Sequence, residues 1–194
     1  IKVRYIELMP VGCAFDSGLK GLPTSEVRSL SEKKWGTMHE LPPAKGKILG
    51  AGYEPYIMAF FIGLYSDKKL PLSDDSDETK VLGHPLDKWG NLDSKKNRKA
   101  YSQLRSYIFI ALVAKTDIDW IAIDKGDLKV STAVAKLIET MEEYANYGFS
   151  VMEEKLNADK GYFFSHRSFL DIFLQLTEKK SAHLESEDDL PEEL

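Results

Sequence analysis

Between Ser131 and Asn157 the residues Val134, Leu137, Ile138, Met141, Tyr144, Ala145, Phe149, Met152 and Leu156 recur at steps of three and four. That is the period of one apolar helix face, and Glu139, Glu142, Glu143, Glu153 and Glu154 fall mostly off it. A stripe this long has to be buried against other elements, so it predicts an all-α fold, a mostly helical bundle. Gly148 leaves open a kink or a break into two helices.

The element for it to pack on is Glu54–Tyr65, apolar almost all round, with Pro55 near a first helical position. A helix greasy on every face belongs at the centre of a bundle. Tyr101, Leu104, Ile108 and Leu112 predict a third helix over 95–115, capped by Ser94, whose second half, Tyr107 to Ala114, is apolar all round and expected inside. Ser165 caps a last helix over 166–179 with Phe169, Leu170, Phe173 and Leu174 facing inward. Thr24 or Ser25 caps a short helix running to about Met38, stopped by Pro42 and Pro43. A short N-terminal strand at Val3–Leu8 is compatible with the pattern, and Trp120–Ile123 is too short to assign. Ser66 to Asp93 is a long polar connection, expected to be pinned by Leu82, Leu86 and Trp89.

The whole reads as a single helical domain, 1–179, and an acidic tail, 180–194, expected to be disordered. Apolar residues at 43% and charged residues at 29% are ordinary for a globular chain, and the composition predicts a folded chain and not wholesale disorder. No apolar run approaches the ~18 residues of a membrane span, and the first residues lack the unbroken apolar core of a signal peptide. Cys13 is the only cysteine, so no disulfide can form within the chain, and its neighbours offer no base to activate a thiol. Together these predict a cytoplasmic protein that needs no membrane.

Charge is unevenly placed. Residues 185–194 hold six acids and no base; without them the net charge of −5 becomes +1. Lys88, Lys95, Lys96, Arg98, Lys99 and Arg105 against Asp93 make 88–105 strongly basic, with Trp89 and Tyr101 interleaved. Such a face suits phosphate contacts, which makes these six residues the candidate nucleic-acid-binding set; the alternative is an ordinary solvated helix start. Asp119, Asp124 and Asp127, near Asp117 and Lys125, are the best candidates for a metal-dependent nuclease or other hydrolase. The plainer role for them is helix capping in a solvated loop. His39, His84, His166 and His183 show no metal-ligand spacing, so the sequence predicts no metal and no other cofactor. Ser165, His166 and Arg167 at a helix start suit either anion binding or plain capping.

Two stretches carry a resemblance: Tyr53-Glu-Pro-Tyr-Ile-Met-Ala-Phe-Phe-Ile-Gly-Leu-Tyr65 with the Lys-Lys-Leu-Pro-Leu run after it, and Glu142-Glu-Tyr-Ala-Asn-Tyr-Gly-Phe149. Together they resemble accessory, system-associated proteins encoded beside bacterial DNA phosphorothioation (Dnd-type) and related antiphage defence genes. Those proteins are similar in having an apolar helix ending Gly-Leu/Phe-Tyr and a later Glu-Tyr-Ala-Asn-x-Gly helix. The resemblance spans about a sixth of the chain. It implies a non-enzymatic helical subunit with other protein subunits as partners, and it carries over no active site. The competing expectation is the hydrolase built on Asp119, Asp124 and Asp127.

Overall fold

The computed structural model describes residues 28–30, 53–73, 79–81, 86, 89, 103–165 and 167–188. Over these residues the chain is mostly α-helical: β1 (Arg28–Leu30), α1 (Tyr53–Ser66), β2 (Thr79–Val81), α2 (Leu104–Lys115), α3 (Trp120–Lys125), α4 (Val130–Ala158), a 3₁₀ turn at Tyr162–Phe164, and α5 (Ser168–Asp188). They belong to two compact units, one made of residues 1–34 and 71–143 and the other of 35–70 and 144–194.

In the first unit β1 and β2 form an antiparallel ladder in which Ser29 pairs with Lys80. The expected helix from Thr24 to Met38 is therefore corrected at Arg28–Leu30. Val27, Ser29 and Ser31 are weak helix formers, and strand pairing supplies the backbone bonds that local propensity did not secure. Leu86 and Trp89, two of the three expected anchors of the long connection, are buried, and Leu82 lies outside the described residues. Ile108 and Leu112 form the buried line of α2, yet Tyr107 is 58% and Ile110 53% exposed. The expectation of a wholly inward second half is corrected, because α2 buries a single face. Trp120–Ile123 is helical. Asp119 caps α3 by accepting from the Ala122 amide at 2.9 Å, and Gly126 ends it with φ 83°, a left-handed turn that a side chain would strain. On α4, Ala133, Val134, Leu137, Ile138 and Met141 are buried at the expected spacing.

The second unit is built on α1, eight of whose fourteen residues are buried. Pro55 lies in its first turn, where a missing amide hydrogen costs nothing. Glu54 is buried in the same turn, at the end of the helix dipole that favours an acid. The chain leaves α1 through a tight αL turn: Asp67 has φ 52°, its amide donates to the Leu64 carbonyl, and the Lys68 amide donates to the Gly63 carbonyl, both at 3.2 Å.

Gly148 does not break α4, which is one helix from Val130 to Ala158. The glycine serves packing instead. A Cβ on Gly148 would collide with the Ala59 carbonyl, and one on Gly63 with the Tyr144 carbonyl. Since 59 meets 148 and 63 meets 144, α1 and this half of α4 run antiparallel, backbone against backbone. Tyr56 stacks edge-on with Phe149 and Phe60 with Tyr144, at centroid separations of 6.0 and 6.3 Å.

Ahead of α5, the buried Phe163 packs against Phe169 at 5.2 Å, and the buried Ser168 hydroxyl reaches the Tyr162 and Ser165 carbonyls at 2.6 and 2.7 Å. Two expectations for this helix are corrected. Leu170 and Leu174 are 53% and 45% exposed, and Ile172 is the buried residue. The face that turns inward is centred on Ser168 and Ile172, roughly half a turn from the leucines. The helix also runs to Asp188, through 180–188 where a disordered tail is expected. Ala182, Leu184, Glu185 and the neighbouring lysines are good helix formers, enough to prolong a helix already nucleated by packing. Residues 189–194 lie outside the described residues.

Candidate functional site

Of the basic set, only Arg105 falls among the described residues, half-buried in the first turn of α2. Lys88, Lys95, Lys96, Arg98 and Lys99 lie outside them, as do Cys13, His39, His84 and His166. A cation in a first helical turn faces the unfavourable end of the helix dipole.

Of the aspartates, Asp119 adopts the plainer capping role, on α3. Asp117 offers its backbone carbonyl to the Lys136 ammonium. The carboxylates of Asp117, Asp119, Asp124 and Asp127 are all solvent-exposed. Among the described residues no three His, Cys, Asp or Glu side chains converge in a group able to hold a metal ion. At the start of α5 the Ser165 hydroxyl accepts from the Arg167 amide at 3.2 Å, and the Arg167 guanidinium lies 3.9 Å from Asp171. The Ser165 hydroxyl thus makes the plainer capping contact, and His166 lies outside the described residues.

What the fold does bring together is the pair of stretches that carries the resemblance. Beyond Asp67, the first three residues of the Lys-Lys-Leu-Pro-Leu run, Lys68 to Leu70, lie along the Tyr144–Tyr147 turn of α4. The Asn146 amide donates to the Leu70 carbonyl at 3.1 Å, the Tyr144 hydroxyl sits 3.4 Å from Asp67, and the ammonium groups of Lys69 and Lys68 stand 5.1 and 5.8 Å from the ring centroids of Tyr144 and Tyr147. Each cation–π contact contributes about 0.5–1 kcal/mol at an exposed site. Both lysines remain exposed, so the result is a pinned loop presenting two positive charges. In the sequence the run carries no visible role; the signal for it is two tyrosines three residues apart on one helix face. A second polar link holds the far end of this half of α4, where the Lys155 ammonium donates to Gln175 at 3.0 Å and stands 5.7 Å above the Tyr162 ring. Partial burial, and then the negative charge of Asp171, push the Tyr162 phenol above its usual range.

On the Lys68–Lys69 surface the cations are exposed, and the polar groups of Tyr144 and Asn146 are engaged in holding a loop on a helix. No helix among the described residues is long and apolar enough to cross a membrane. Comparison of the chain with protein-family models, with curated proteins and with solved structures gives no match.

Proposed function

We propose that the chain is a non-enzymatic accessory subunit of a prokaryotic multi-protein system, acting in the cytoplasm in DNA-modification-linked antiphage defence. The observation that carries this reading is the interlocking of its two resemblance stretches. Gly63 seats on Tyr144, Gly148 seats on Ala59, and the Lys68–Lys69 loop is clamped to Tyr144, Asn146 and Tyr147. The residues that carry the resemblance build one closely packed unit, which suits a scaffolding role. Large apolar side chains left in solvent on α2, Tyr107 and Ile110, supply a surface for other subunits. DNA enters through the basic set Lys88, Lys95, Lys96, Arg98, Lys99 and Arg105, by phosphate contacts without sequence preference.

The test is a DNA-cleavage assay with magnesium or manganese, run on the wild type and on Asp124→Ala. The proposal expects no cleavage from either protein. Cleavage by the wild type that is lost in a folded Asp124→Ala protein would establish the hydrolase instead.

A further inference from the structure

We propose that the outward stripe of α5 is a homodimer contact, its occupant the same stripe of a second copy of the chain. Taken at about 100° per residue, Arg167, Leu170, Leu174 and Glu178 fall within a quarter-turn of one another. All four are exposed, the two leucines to 53% and 45%, while Ser168 and Ile172 on the opposite side are buried. The stripe is therefore a basic end, an apolar middle and an acidic end on a single helix face.

That order is self-complementary under one symmetry. Two α5 helices packed antiparallel about a two-fold axis level with the middle of the Leu170–Gln175 interval bring Leu170 to within about 2 Å, along the axis, of Leu174 in the partner copy. The same operation sets Arg167, about 8 Å from the axis, level with Glu178 in the partner copy, also about 8 Å away. Both charges lie on the same flank of the leucines, so the two-fold rotation places opposite charges side by side. A parallel pairing would set like charges level with one another on opposite flanks and leave neither paired. The Arg167–Asp171 contact within one chain, at 3.9 Å with side chains 72% and 43% exposed, is loose enough to leave the guanidinium donors to the partner. On the other flank, Phe173 carries Tyr65 edge-on at 5.3 Å, and Tyr65 is itself 53% exposed, which widens the apolar strip.

The inference needs none of the subunits proposed above, because it concerns the purified chain alone. Light scattering coupled to gel filtration should give twice the chain mass of 22.0 kDa. Leu174→Glu should give the monomer mass, with an unchanged circular dichroism spectrum. Arg167→Glu and Glu178→Arg should each weaken association about tenfold, and combining them should restore it to within about threefold, because the pair is regenerated with its polarity reversed. Should Leu174→Glu fail to fold, the exposed charge exchange carries the test by itself. A monomeric wild type, which would assign the face to a different subunit, overturns the proposal. So does a dimer indifferent to Leu174→Glu, or a combined variant as weak as its single parents.

Discussion

Gly63, Gly148 and Gly126 separate two reasons a position demands glycine. At Gly63 and Gly148 the obstacle is the backbone of the facing helix, which cannot swing aside as a side chain would. Gly63→Ala and Gly148→Ala should each cost about 2–3 kcal/mol, a fall in melting temperature of roughly 5–10 °C. At Gly126 there is open space and the cost is conformational, with φ 83°, so Gly126→Ala should cost about 1–2 kcal/mol. Thermal melts of the three variants check the order, and a Gly126 variant worse than either of the others would overturn this account of the crossing. Tyr162 adds a pH dependence. Its phenol is held protonated above its ordinary range by burial and by Asp171, so the unfolded chain releases that proton first. Stability is then fully present below about pH 10 and declines as pH rises through the folded value. Urea midpoints at about pH 9 and 11 should fall less in Tyr162→Phe than in the wild type, and equal falls would assign the loss to other groups.

Among the elements, α3 offers the sharpest contrast between capping and catalysis. Asp119→Ala removes the cap and should cost about 1 kcal/mol. Asp124→Ala, at an exposed position in the last turn of α3, should stay within about 0.5 kcal/mol. Chemical denaturation distinguishes them, and a large loss at Asp124 would indicate a role the described contacts do not explain. The long apolar stripe of α4 and the apolar α1 were legible because burial on one face, or on all faces, imposes its period directly on the sequence. Which way α5 faces was not legible: Leu170 and Leu174 fit a helical period as well as Ile172 does, and only the packing of Ser168 and Phe163 fixes the rotation. Tyr107 and Ile110 misled for the same reason, since an apolar residue need not be inside. The strand at Arg28–Leu30 depends on a partner fifty residues away, which no local window contains. The Lys68–Lys69 clamp was half legible: the tyrosine spacing was visible, but the turn that delivers the lysines to it depends on Asp67 adopting an αL conformation.

For the whole molecule, the basic set and the six acids of 185–194 are opposing charge blocks on one chain. Should the basic face bind nucleic acid, the acids act as a built-in competitor. Deleting 185–194 should tighten DNA binding at low salt, and replacing Lys95, Lys96, Arg98 and Lys99 by Gln should abolish that binding and flatten its salt dependence. Fluorescence anisotropy at two salt concentrations reads both effects, and identical behaviour of all three proteins would reduce the basic face to solvated surface. The central claim, that the chain works as a subunit and not as an enzyme, is tested most directly by the mass of what it assembles into. Native mass spectrometry of the complex isolated through a tag on this chain, expressed at its natural level in its own host, should give a discrete assembly of fixed stoichiometry. At least one further subunit in it should belong to a DNA-modification or defence system. Recovery of the chain with no other subunit, in a form that cleaves DNA with magnesium or manganese, would contradict the account.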